Sequence, residues 1–136
     1  VQLALATAMR RSELLSLKWS DLDLNQGLVR LNRKDCAAQG RHQSQRLVPL
    51  SRSAIKLLKQ YPKGRVDVLG ITASASRHAF NRAKQAAGLH SLHFHDLRHI
   101  AISRMWNEGM NVIEISTASG HKDLRMLMRY SHYLPA

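Results

Sequence analysis

The chain has 136 residues, the size of one domain, with 21 Lys plus Arg against 9 Asp plus Glu, a formal net charge of +12 with its eight histidines neutral. A surface that repels itself this strongly is expected to meet a polyanion, nucleic acid first and an acidic membrane surface second. There is no run of about 18 apolar residues and no signal-peptide pattern, which argues against an integral membrane home, and the single Cys36 excludes an internal disulfide framework and a Cys-rich zinc site.

In chain order, residues 1–17 read as one helix, with Leu3, Leu14 and Leu17 apolar and Ala4, Ala6 and Ala8 favouring helix. Asn25-Gln26-Gly27 is turn chemistry, and Gly27 to Asn32 alternates as a strand. Asp35 to Gln45 is polar and small, a long hairpin loop, and Arg46 to Leu50 is a second strand that Pro49 confines to an edge or a strand end. Ser51 caps a helix reaching about Tyr61, and Ser74 or Ser76 starts another that Gly88 closes. Three helices follow, about Asp96 to Glu108, Val112 to Ser119 and Leu124 to His132, separated by Gly109 and Gly120. The expected fold is α+β and mostly helical, with a small antiparallel sheet (a hairpin near residues 27–50) packed against a helical core. At 44% hydrophobic residues the chain can bury that core and is not a disordered basic tail. With one cysteine and no leader, a reducing, cytoplasmic interior is its expected compartment.

The charge is clustered. Between Arg30 and Arg65 ten bases face one acid, Asp35, so that stretch holds nine of the twelve net charges. From Val68 to His95 there are three more bases, Arg77, Arg82 and Lys84, and no acid. A surface charged for solubility intersperses signs; clustering marks a footprint for phosphates.

Four short segments carry candidate chemistry. His95 and Arg98 are i and i+3 on a helix start, an imidazole beside a guanidinium where an anion is favoured. Arg10 and Glu13 share the same spacing; Gly120-His121 places a ring at a helix boundary; Arg129-Tyr130 lies near the C-terminus. His95 and His99 also approach the zinc-helix pattern H-E-x-x-H. Against that, Asp96 is a methylene shorter than the required Glu and Arg98 would put a cation beside the metal, so no metal site is assigned.

Together these pieces resemble the catalytic domain of the tyrosine recombinases, the phage-integrase family. Thr7-Ala8-Met9-Arg10-Arg11-Ser12-Glu13-Leu14-Leu15-Ser16-Leu17 resembles its first-arginine box T-G-x-R-x-S-E-L-x-x-L. His95-Asp96-Leu97-Arg98-His99 resembles its H-x-x-R box, Gly120-His121 its L-G-H box, and Arg129-Tyr130 the R-Y that carries the nucleophile. The order matches, with 26 residues from His95 to His121 and 9 from His121 to Tyr130. Ala8 stands where the family usually has Gly, and Ala118-Ser119 where it usually has Leu-Gly.

The resemblance implies a site-specific DNA recombinase that cleaves and rejoins strands through a 3′-phosphotyrosine, with no metal, ATP or other cofactor. It implies Tyr130 as nucleophile, Arg10 and Arg98 as the guanidiniums on the phosphate, His95 as the residue assisting proton transfer and His121 as a further phosphate donor. Lys34, just past the first strand, matches the lysine that protonates the leaving 5′-oxygen, although loop 35–45 is longer than the family's usual hairpin. Arg33, Arg41, Arg46, Arg77, Arg82 and Lys84 are the expected DNA contacts. The implied partner is double-stranded DNA, with a homotetramer on that DNA in the full-length protein and no membrane. Residues 1–136 are accordingly expected to be a single catalytic domain truncated at both ends, without the family's N-terminal core-binding domain. A DNA-binding relic, a metallohydrolase on His95 and His99, and a type IB topoisomerase are the alternatives. The retained set Arg10, His95, Arg98, His121 and Tyr130 argues against the first.

Overall fold

The structure, a computed structural model, describes residues 1–32 and 45–133. Lys34, Arg33 and Arg41 therefore lie outside the described residues. The first expected helix is two: α1 (Gln2–Thr7) and α2 (Arg11–Leu15). They are separated because Ala8 adopts φ 54°, ψ 18°, the left-handed region that ends a helix. Among the described residues it is the one non-glycine with positive φ. The position where the resemblance expects Gly is thus one whose backbone asks for Gly.

Three strands follow, β1 (Leu22–Asp23), β2 (Leu28–Asn32) and β3 (Gln45–Pro49), in an antiparallel sheet of order β1-β2-β3. The short β1 was not expected from sequence. Pairing runs from Leu28 opposite Pro49 to Asn32 opposite Gln45, so Pro49 lies at the end of an edge strand. Helix α3 (Arg52–Leu58) opens on Ser51, whose Oγ accepts from the Ala54 amide at 3.2 Å. Helix α4 (Ala73–Ala86) has no buried residue; α5 (Phe94–Asn107) and α6 (Val112–Ser119) do the packing. Asn111 caps α6 through Oδ1 to the amides of Ile113 and Glu114, and Gly120 ends it at φ 73°.

The last expected helix is instead two 3₁₀ segments, Leu124–Met126 and Met128–Tyr133. Asp123 caps the first by accepting from the Arg125 amide at 2.9 Å, and Tyr130 N–H bonds the Leu127 carbonyl three residues back. Leu127 is the deeply buried residue of this stretch. One anchor of this kind fixes a turn but does not supply the apolar stripe that an α-helix lays on a core.

Two apolar clusters form the interior. The first joins Leu3, Leu14, Leu17, Val29, Val48, Leu58 and Leu97; the second joins Ala8, Ala101, Ile102, Trp106, Ile115, Ala118 and Leu127, with Tyr130 packed against it. Helix α5 gives its first turn to one cluster and its later turns to the other, so its N-terminal half lies along the seam. Among the described residues no helix is long and apolar enough to cross a membrane.

Candidate active site

The site is built where α1 breaks. The Ala8 turn makes Arg10 the residue that opens α2, with φ −68° and ψ 151°. Glu13 holds it there: its Oε2 accepts from the Arg10 amide at 2.8 Å and its Oε1 lies 3.4 Å from the Arg10 guanidinium. The Arg10 side chain stays half exposed. The same turn presents the Ala8 carbonyl to Arg98 Nη1, which donates to it at 2.8 Å.

Arg98 is only 4% exposed. Burial, and next the Arg10 charge, lower its pKa to about 10, so it remains a cation at neutral pH. Arg10, His95 and Arg98 line one pocket of about 240 Å³, closed by Ala4, Met9, Arg11 and Phe94.

His121 follows the left-handed Gly120. Its Nδ1 lies 2.7 Å from Ser119 Oγ and 3.4 Å from Arg98 Nη2. A guanidinium only donates, so Nδ1 accepts and the neutral ring carries its proton on Nε2, free to donate to an anion. Burial, then the Arg98 and Arg10 charges, lower the His121 pKa from 6.5 to about 4. In an unfolded chain the ring takes its proton near 6.5, before the folded ring does. Stability held above that pH is therefore lost as pH falls from about 6.5 towards 4. Urea midpoints measured across this window are expected to fall, and His121→Asn to flatten the trend.

Tyr130 is half-buried, and its hydroxyl meets His99 Nδ1 in a short hydrogen bond. The two rings stack at 6.0 Å between centroids, 26° apart, and His95 meets His99 edge-on at 4.9 Å. His99 was not among the residues expected from sequence; its spacing to His95 suggested a metal. Among the described residues no group of three or more His, Cys, Asp or Glu is placed to hold one.

Two expected DNA contacts are corrected. Arg46 is 6% exposed and turned inward, with Nη2 donating to Glu13 Oε2 at 2.8 Å and Nη1 to the Ser119 carbonyl at 3.0 Å. It alternates with Val48 on the buried face of β3. Lys84 is half-buried, with Nζ donating to the His90 and Leu92 carbonyls at 3.3 and 3.1 Å, so it secures the turn before α5. Arg77 and Arg82 are exposed on α4.

The Arg46 guanidinium also lies against Gly120, where a Cβ would overlap Nη1. Gly120→Ala therefore combines left-handed strain of about 1–2 kcal/mol with overpacking of about 1–3 kcal/mol. Its expected cost is about 3 kcal/mol, read from urea denaturation, and an effect below about 1 kcal/mol would show that Arg46 yields freely.

Two guanidiniums and His95 thus line one pocket, His121 bonds one of those guanidiniums, and the Tyr130 phenol pairs with His99 one turn further along α5. The profile of the phage integrase family matches residues 1–136, and the chain belongs to that family. It is 42% identical to a shufflon-specific DNA recombinase of Escherichia coli over 96% of this chain and 33% of that protein. It is 30% identical to the tyrosine recombinase XerD of Vibrio vulnificus (strain YJ016) over 97% and 47%. The chain thus spans a third to about half of the length of these relatives. The catalytic domain of bacteriophage HP1 integrase superposes with a TM-score of 0.74 at 25% identity, covering 98% of this chain and 73% of that one. XerH bound to its difH substrate shares the fold, with a TM-score of 0.71 at 23% identity over 95% and 40%.

Proposed function

We propose that the chain is the strand-cleaving and rejoining part of a site-specific recombinase acting on double-stranded DNA in the cytoplasm. The observation that carries this reading is the convergence of Arg10, His95 and Arg98 on one pocket, with His121 bonded to Arg98 and the Tyr130 hydroxyl held on the same helix by His99.

The Tyr130 oxygen attacks the scissile phosphorus and the 5′-oxygen leaves, giving a 3′-phosphotyrosyl strand. A second 5′-hydroxyl then reverses the step, so the bond energy is conserved without hydrolysis. Arg10 and Arg98 oppose the charge that grows on the non-bridging oxygens, and Nε2–H of His121 adds a third donor. Of the five N–H donors of Arg98 two are engaged by Ala8 and His121, which leaves three for phosphate.

Lys34 serves as the acid for the leaving oxygen. Its described neighbours support this: β2 ends at Asn32, opposite Gln45, and the next residue of β3, Arg46, reaches Glu13 and through it Arg10. Arg33, Arg41, Arg77 and Arg82 supply positioning charge along the duplex. A homotetramer on DNA is the assembly that pairs two strand exchanges, in the complete protein.

The test is covalent capture. The chain is incubated with a pool of nicked duplexes of randomised sequence, and denaturation-resistant adducts are sequenced and peptide-mapped. Adducts on Tyr130, converging on one DNA sequence, are expected. No adduct, or one mapped to Tyr133, overturns the reading.

A further inference from the structure

We infer that Ser119 is the positioning residue for His121, its hydroxyl donating to Nδ1 so that the ring presents Nε2–H to the scissile phosphate in one tautomer and one orientation. The inference rests on the recombinase reading and adds to it a side chain that the motif match leaves without a role. The family's L-G-H box has no hydroxyl before its histidine, whereas here Ser119 Oγ lies 2.7 Å from Nδ1.

The backbone under the ring is already fixed. The Gly120 amide bonds the Ser116 carbonyl at 2.7 Å, and Ser116 Oγ donates to the His121 carbonyl at 2.9 Å. What remains is rotation of the side chain, and two groups meet it at Nδ1. Arg98 Nη2 stands at 3.4 Å, the outer edge of a hydrogen bond, so Ser119 Oγ at 2.7 Å is the closer hold. Ser119 is fully buried, and among the described residues its hydroxyl bonds His121 alone. Were Nδ1 to carry the proton, the hydroxyl would accept, its own O–H would be buried without a partner, and the ring N–H would face a guanidinium N–H. Both penalties vanish when Ser119 donates. Nε2–H, which bonds no described residue, is then the atom left for an anion.

The main chain of Ser119 serves the other side of the site. Its carbonyl accepts from Arg46 Nη1 at 3.0 Å, and Arg46 Nη2 donates to Glu13 Oε2, which also accepts from the Arg10 amide. Ser119 thus holds His121 through its side chain and is tied to the start of α2 through its backbone, so the imidazole donor and the Arg10 guanidinium are set against one frame. No bond is made or broken at Ser119. It keeps a donor still while charge grows on the phosphate oxygens, which a freely turning ring would meet in few of its orientations.

Two measurements test this. The first is nitrogen-resolved NMR of the His121 ring near neutral pH, where that ring is uncharged, assigned through His121→Asn. The wild-type chain should show a bare Nδ1 and a protonated Nε2. Ser119→Ala should move the Nδ1 resonance to higher shift, as happens when an acceptor loses its donor. A proton on Nδ1 in the wild type, or an Nδ1 resonance unmoved by Ser119→Ala, overturns the pair whatever the chain's activity. The second uses the duplex recovered by covalent capture. At saturating DNA, Ser119→Ala should form adduct about 10-fold more slowly, with duplex affinity unchanged. His121→Phe should lose about 10²-fold, and adding Ser119→Ala to it should slow it no further, because Ser119 acts through the ring. A wild-type rate in Ser119→Ala overturns the proposal. So does an undiminished effect of Ser119→Ala in the His121→Phe background, which is what a merely structural serine would give. If the wild type forms no adduct with any duplex, the recombinase reading fails and the positioning role falls with it, while the NMR measurement still reports on the pair.

Discussion

Tyr130→Phe forms no covalent adduct with DNA and still binds it. The substitution removes one oxygen and leaves the ring, which stays packed against the second apolar cluster. The lost hydrogen bond to His99 costs about 1 kcal/mol of stability. Duplex binding rests on the basic surface, so fluorescence anisotropy should give the same affinity and the same steep salt dependence as the wild type. Denaturing gels read the adduct. Any adduct in Tyr130→Phe moves the nucleophile elsewhere; lost binding would mean that the ring holds the site together.

Arg98→Met is expected to slow adduct formation by about 10³-fold or more, because several donors aimed at the developing charge disappear together. Its effect on folding should be small. Methionine leaves the buried Ala8 carbonyl without its donor, at about 1–3 kcal/mol. The same change removes a buried cation that Arg10 repels, and replacing buried charge by an apolar chain often offsets such losses. A urea midpoint near that of the wild type, with activity gone, marks a residue kept for phosphate. Arg98→Lys should fare little better, since an ammonium cannot hold Ala8 and His121 while presenting a planar fork. A collapse of stability in Arg98→Met would instead make the guanidinium a structural strut.

Much of this site was legible in the chain. Arg10, His95, Arg98, His121 and Tyr130 stand in segments that resemble the family's motifs in order and spacing; the structure sets Arg10, His95 and Arg98 on one pocket, His121 against Arg98 and Tyr130 against His99. Helix α6 was legible to the residue because Asn111 and Gly120 punctuate it chemically. Other features depended on partners distant in sequence. Ala8 has helix propensity, and its left-handed turn, which hands a carbonyl to Arg98, was hinted at only by the Gly that the family motif has there. Arg46 counted as surface charge, yet β3 alternates, and taking Val48 and Leu50 as its inward set would have placed Arg46 with them. Lys84 was hidden because backbone carbonyls leave no mark in sequence. His99 carried a signal, its spacing from His95, that pointed to metal because the partner ring, Tyr130, lies 31 positions on.

The bonds that close this site join residues far apart along the chain: Arg98 to Ala8 across 90 positions, Arg46 to Ser119 across 73, Arg46 to Glu13 across 33. Each closes a loop whose entropy must be met before the contact forms, and such contacts come late in folding. Arg10 and Arg98 are thus brought to one pocket only after the first and last thirds of the domain have docked. A nascent or partly unfolded chain therefore carries a tyrosine but no reagent: the ability to break DNA arises at the final step of assembly, and is the first thing lost when the domain opens.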